Sequence, residues 1–426
     1  MGPELAAAGA PAATGPPPAS SSLLPRGAIG GRLMLSLLAG RGGYRVATVL
    51  SNVLLLAAWG EAGFAGYALV MGGFTAVLYL TAFGVEKSAL TLLPRVRRVR
   101  GELTAVFVAL SAGPGLLALI GIGGYGLATG KPPMWLLAGA LAVGLGLNQV
   151  LVGLHRALGR PWRDVANHGV LVAAVAAATG GALLGLGPTG VLAVLLTAVA
   201  ALDLALLPGL AARPRGLRRP ALLRPAAGTA VLMSAGELAA AGTVSAVFLV
   251  LDHTGRAGQS GPLYLAVSAS ALLANAFGYL LRIVQPHVSL ALHRSRAERP
   301  AARRAARGLR LLALAGPPWV AAATGAAVWW YGHAAGTVQA VALGALYVAC
   351  LPVFFGLGSL NFLLENGDRH TLRRTATGSA AGLAGAVLAA LVLVPWLGAP
   401  GAIAAMATGD LVHALVLLLI LPRTAP

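Results

Sequence analysis

Two arginines, Arg41 and Arg45, stand four residues apart in an apolar run, a spacing that puts both on one side of a helix. Two guanidinium forks stacked this way can grip a phosphate or pyrophosphate through paired hydrogen bonds. The competing use is near a helix end, where both side chains snorkel toward lipid headgroups. Arg282, in a later apolar run, has the same two uses. Three carboxyl groups also fall inside apolar runs: Asp203, Glu237 and Asp410. Removal from water favours the neutral form of a carboxyl, which is the physics of a proton relay or ion-coupling site. A bond to a basic group or to helix backbone is the structural use of the same residue. Glu237 is the strongest coupling candidate, because its run opens the second half of the chain and should line a cleft. Asn148, Gln149 and Asn275, together with Asn361, can hydrogen-bond sugar hydroxyls or bridge neighbouring helices. His168 and His413 read as packing residues. No stretch has the spacing of a metal site, a catalytic triad or a phosphate-binding loop. The expectation is a protein that is not an enzyme and uses no metal or cofactor.

Composition decides what must hold these residues in place. Of 426 residues 58% are apolar and only 10% charged, against roughly 25% charged in a soluble domain. Mean hydropathy is +0.81. Such a chain cannot cover a globular surface with ions, and its single cysteine, Cys350, excludes an intrachain disulfide framework. A polytopic membrane protein remains, because a bilayer core needs runs of about 20 apolar residues. Twelve such runs are present, at 33–58, 66–84, 102–128, 134–155, 165–186, 189–210, 227–251, 262–283, 308–331, 337–362, 376–397 and 400–421.

The formal charge of +19 is distributed as a topology signal. Five basic residues lie between spans 2 and 3 (Lys87 to Arg100), three between 4 and 5 (Arg156 to Arg163) and five between 6 and 7 (Arg213 to Arg224). Seven lie between 8 and 9 (Arg294 to Arg310) and three between 10 and 11 (Arg369 to Arg374), making 23 of the 31 Lys and Arg. The opposite loops hold only Lys131 and Arg256. Short basic loops stay cytoplasmic, so both termini are expected inside a multi-pass protein of the cytoplasmic membrane. Anionic membrane lipids are the natural partner of this charge, and nucleic acid is not. Residues 1–27, rich in Pro, Ala and Ser, read as a disordered cytoplasmic tail. The remaining division is 28–225 and 226–421 as two six-helix bundles, with 422–426 as a short tail.

Internal repetition supports the two halves. Gly144-Leu145-Gly146 recurs as Gly356-Leu357-Gly358 at an offset of 212, and Asn148 and Arg160 match Asn361 and Arg373 at 213. Leu186-Gly187-Pro188-Thr189-Gly190 and Leu397-Gly398-Ala399-Pro400-Gly401 join the last two spans of each half, 211 apart. A repeat of six spans leaves both halves in the same orientation, with a site between them.

Three stretches then carry a family resemblance. Trp59-Gly60-Glu61-Ala62-Gly63-Phe64-Ala65-Gly66-Tyr67-Ala68-Leu69, followed by Phe83-Gly84-Val85-Glu86-Lys87-Ser88-Ala89-Leu90, resembles the first hairpin of polysaccharide exporters. Gly261-Pro262-Leu263-Tyr264-Leu265-Ala266 leading to Pro286 resembles the equivalent place in their second half. Val394-Pro395-Trp396-Leu397-Gly398-Ala399-Pro400-Gly401-Ala402-Ile403-Ala404 is similar to their last hairpin. The resemblance is to the multidrug/oligosaccharidyl-lipid/polysaccharide flippase superfamily, in particular its polysaccharide branch. It implies an all-α polytopic membrane protein with about twelve transmembrane helices in two pseudo-symmetric six-helix bundles around a central cavity. It further implies alternating access and translocation of a lipid-linked oligosaccharide or polysaccharide precursor, with glycan-assembly proteins as possible partners. The chain lacks the two extra C-terminal spans of the lipid II flippase pattern. The multidrug branch implies the other reading, an ion-coupled exporter of small molecules or drugs. Arg41, Arg45, Arg282, Asn148, Gln149 and Asn275 are the expected cavity residues, and Glu237, Asp203 and Asp410 the expected coupling residues.

Overall fold

A computed structural model describes residues 31–82, 84–93, 98–210, 212–273, 277, 298–333, 337–365 and 369–420. Asn275, Arg282, Pro286, residues 1–27 and the tail 422–426 lie outside the described residues. Among the described residues all regular structure is helical, and ten helical stretches are long and apolar enough to cross a membrane. The protein is an all-α polytopic membrane protein.

The first two expected spans form one long element, α1 (Gly31–Gly73), interrupted at Gly60, whose φ of 68° and ψ of 178° suit only glycine. Tyr44 and Met71 line one cavity, although a straight helix would hold them about 40 Å apart. The chain therefore folds back at Gly60. Two short helices, α2 (Thr75–Ala82) and α3 (Val85–Leu92), complete the second crossing, so it runs further than 66–84. Lys87, expected in a loop, is on α3. Long helices follow: α4 (Arg100–Ala128), α5 (Pro133–Ala157), α6 (Trp162–Leu183), α7 (Pro188–Leu206) and α8 (Pro220–His253). Arg156, also expected in a loop, belongs to the last turn of α5. Next come α9, described over 260–273, then α10 (Glu298–His333), α11 (Thr337–Glu365), α12 (Arg369–Leu397) and α13 (Ala399–Ile420).

The two halves pack alike. The first helix of each half lies along the fifth crossing, α1 on α6 and α8 on α12, and the fourth crossing lies along the sixth, α5 on α7 and α11 on α13. With no hydrophobic drive between helices in lipid, close backbone approach over small residues does the packing. A Cβ on Gly146 would press on Leu78 O and Thr81 in the second crossing, and its repeat partner Gly358 faces Phe277 in the second half. Gly382 and Gly409 bring α12 and α13 together, a Cβ on the first falling 2.9 Å from Gly409 O. The hairpin ends match too. Trp59 Nε1 donates to Leu186 O (2.9 Å) beside the α6–α7 turn. In the second half Arg256 Nη2 donates to Pro395 O (2.6 Å) and Ala399 N donates to Gln259 Oε1 (2.8 Å) beside the α12–α13 turn. One helix, α8, serves both bundles. It packs on α12 and α13 and also on α1 to α4, and its Ala226 and Ala230 complete the core formed by α3, α4 and α5.

Candidate functional site

Four charged residues from four crossings meet inside the N-terminal bundle, toward the end that carries the basic loops. Arg41 of α1 donates from Nε to Asp164 Oδ1 (3.2 Å) and from Nη2 to Asp164 Oδ2 (2.9 Å), the paired fork that guanidinium makes with a carboxylate. Its Nη2 also lies 3.5 Å from Glu86 Oε1 on α3. Arg156 of α5 pairs with the same Glu86 oxygen and reaches Asp164 Oδ2 at 3.6 Å. Gln149 Nε2, two turns back along α5, donates to Glu86 Oε2 (3.1 Å). His168 Nδ1 lies 2.9 Å from Asp164 O and 2.8 Å from its Oδ1. Two arginines thus match two carboxylates whose side chains are 5% and 1% exposed. The arrangement ties α1, α3, α5 and α6 into one unit.

A second polar group sits one turn away in the same bundle. Asn148 Nδ2 donates to Asp203 Oδ1 of α7 (2.9 Å) and to Asn167 Oδ1 of α6 (3.0 Å), while Asn167 Nδ2 donates back to Asn148 Oδ1 (2.8 Å). All three are buried. Asn148 thus bridges α6 and α7, and Asp203 forms no ion pair among the described residues. A small cavity of about 60 Å³ between α1, α5, α6 and α7 is lined by Tyr44, Thr48, Ser51 and Asn52, and Tyr264 of α9 closes it. That is room for a few waters at ~10–15 Å³ of accessible volume each.

The bundle interface has its own chemistry. Lys87 Nζ on α3 lies 3.0 Å from Glu237 Oε1 on α8, so Glu237 is paired across the two bundles. Gly84, with φ of 60°, lets the second crossing press onto α8: a Cβ there would fall 2.5 Å from Ala230 O and 2.7 Å from Ser234 N. Where that crossing breaks between α1 and α2, Ser245 of α8 repairs it, accepting from Ala76 N (2.8 Å). Toward the other end Asn52 Nδ2 donates to Ser268 Oγ (3.3 Å), Ser260 Oγ donates to Ala65 O (2.8 Å), and Tyr67 meets Tyr264 edge to face at 6.3 Å. Arg45 is exposed on α1, within electrostatic reach of Tyr44 and Tyr264, and forms no ion pair among the described residues.

The structure therefore separates Arg41 from Arg45, gathers Arg41 with Gln149, and places Asn148 with Asp203. Glu237 stands at the interface. Asp410, on α13, is in the C-terminal bundle near Tyr347 and Cys350 of α11, remote from the other carboxylates. His168 is a partner of Asp164 rather than a packing residue alone, whereas His413 packs against Gly378 and Gly382. Glu86, Arg156 and Asp164 were not singled out by the sequence, being at span ends. With only 12 acidic residues in 426, each acid beside an apolar run was itself the available signal.

No family model and no curated protein matches the chain. Solved structures do match its fold. A multidrug resistance MATE family transporter of the MOP superfamily, in an inward-facing conformation, superposes with a TM-score of 0.59 at 15% identity, over 88% of this chain and 93% of the other. The lipid II flippase MurJ, in an inward closed conformation, superposes with a TM-score of 0.56 at 12% identity, over 88% of this chain and 86% of the other. The fold of this chain is that of the MOP superfamily transporters.

Proposed function

We propose that the protein is a membrane transporter that carries the anionic headgroup of a lipid-linked glycan precursor across the bilayer. The two bundles rock about α8, the cargo's hydrocarbon tail stays in lipid, and the enzymes that build the glycan are its partners. The observation that carries this reading is the charge balance inside the N-terminal bundle and across its contact with α8. Glu86 and Asp164 are matched by Arg41 and Arg156, and Glu237 by Lys87. Arg45 forms no ion pair among the described residues and is exposed on α1, within electrostatic reach of Tyr264 of the opposite bundle. A phosphate crossing hydrocarbon is prohibitive without countercharge, and a surplus arginine supplies it with fork geometry. Arg41 then acts by holding α1 to α6, and Arg45 meets the cargo.

The test uses proteoliposomes loaded with a fluorescent polyprenyl pyrophosphoryl disaccharide, its exposure on the far leaflet read by quenching. Arg45→Ala should slow translocation by about tenfold or more, the worth of a charge-assisted hydrogen bond of ~1.5 kcal/mol. Arg45→Lys should restore part of the rate. Full translocation by Arg45→Ala at normal protein level would refute the reading. One observation favours an ion-coupled exporter of small molecules instead: Asp203 is buried against the Asn148 amide and forms no ion pair among the described residues. Efflux of a cationic dye driven by a proton or sodium gradient, and lost in Asp203→Asn, would establish that alternative.

A further inference from the structure

One sizeable cavity lies on the flank of the C-terminal bundle. It is an open groove of about 650 Å³ between α10 and α12, with α13 as its floor. These three helices pack mainly on one another, α8 and α11, not on the N-terminal bundle. Small residues of α10 form one wall, Ala313, Pro317, Ala321 and Gly325, and Leu397 of α12 faces them. Two hydroxyls stand on its walls. Thr408 Oγ1 donates to Ala404 O (2.8 Å), and Thr324 Oγ1 has no accessible surface. The groove surface is therefore overwhelmingly hydrocarbon. From Ala313 to Val328 it follows α10 for about 22 Å, most of the ~30 Å of a bilayer core.

Its mouth is charged. Arg310 stands three residues before Ala313 and seven before Pro317, on the same stripe of α10, and Arg307 is one turn further out. Both are exposed, at the end of the helix that carries the basic loops. We infer that the groove holds one acyl chain of a resident anionic phospholipid whose phosphate is bound by Arg310, independently of the transported cargo. A basic group at the headgroup level above an apolar slot is the combination that selects anionic over zwitterionic lipid.

The experiment offers the full-length protein, purified in detergent, equal amounts of phosphatidylglycerol and phosphatidylcholine and counts bound lipid by native mass spectrometry. One phosphatidylglycerol should be retained per chain in preference to phosphatidylcholine. Arg310→Gln should cut that preference about fivefold, the value of one arginine at a membrane surface. Gly325→Leu should empty the site of both lipids. A Cβ at Gly325 meets nothing within 4 Å, so the leucine fills the groove without displacing its walls. Unchanged retention in Gly325→Leu, or unchanged preference in Arg310→Gln, would overturn the inference. So would a change from dimer to monomer in Gly325→Leu, which would make the groove a protein interface. In the unaltered protein, phosphatidylglycerol carrying a diazirine midway along its chain should label α10 and α13, and labelling confined to α1–α7 would also overturn it.

Discussion

Asp164→Asn should be the most damaging conservative change in the N-terminal bundle. The substitution keeps shape and removes one charge from a group of four. Asp164 is 1% exposed and Arg41 21% exposed, so the pair is closer to a buried bridge than to a surface one. Removing one partner of a buried pair costs about 3–5 kcal/mol, whereas an exposed pair contributes about 0–1 kcal/mol. The partial exposure of Arg41 sets the expectation at the lower end, about 3 kcal/mol. Arg41→Gln should cost less, about 1–2 kcal/mol, because Asp164 keeps His168 at 2.8 Å and Arg156 at 3.6 Å. Once either charge is gone, loss of the other restores neutrality. The double variant should therefore be little worse than Asp164→Asn alone, a coupling of about 1–2 kcal/mol. Reversible unfolding in mixed micelles, titrated with a denaturing detergent, measures all three. A cost below about 1 kcal/mol for Asp164→Asn, or additive single effects, would show that the network is a solvated cluster and not the tie between α1, α3, α5 and α6.

Gly84→Ala should destabilise the protein by about 1–2 kcal/mol from its left-handed backbone alone, with the contact on Ala230 O added, while Gly43→Ala, where a Cβ meets nothing within 4 Å, should be neutral or slightly stabilising; the same unfolding titration compares them. Lys87→Glu and Glu237→Lys should each slow translocation, and the exchanged pair should recover at least half of the rate, since the bridge joins the bundles; an exchanged pair no faster than either single variant would remove it from the transport cycle. Reporter fusions after Leu127 and Thr254 should read as extracytoplasmic and fusions after Arg98 and Arg304 as cytoplasmic; one reversed pair would overturn the orientation drawn from the basic loops.

The crossings were legible because length and apolarity alone define them, and the repeat was legible from glycines and an asparagine that recur at nearly one offset. Gly146 lets the fourth crossing of the first half press on the second, and Gly358, 212 residues on, faces the second crossing of its own half at ordinary contact distance. What escaped the sequence lies at the ends of spans. Glu86, Lys87, Arg156 and Asp164 carry charge, so a hydropathy count ends a span before the first three, begins one after Asp164, and assigns all four to loops. In the structure the helices continue through them, and the charges are affordable there because they neutralise one another. Partner choice also escaped it. Nothing in the residue order says that Asn148 turns toward Asp203, 55 positions away, while its neighbour Gln149 turns toward Glu86.

The separation of Arg41 from Arg45 follows from helix geometry. Residues four apart differ by about 40° around the axis and 6 Å along it, close enough to share a side of α1 and far enough apart to straddle its boundary. The buried face runs through Leu37, Ser51, Asn52 and Leu55, with Arg41, Tyr44 and Thr48 half-buried along it. Arg45 falls just outside, with Leu38, Val46 and Val53 exposed beside it. Arg41 is consumed by Asp164, and that pairing fixes the direction in which Arg45 points. A helix held rigidly by one arginine can present the next to a cargo at little ordering cost, since the backbone that carries it is already immobile. Weakening the Arg41–Asp164 pair should therefore impair translocation even where Arg45 is intact, and by more than its effect on stability alone.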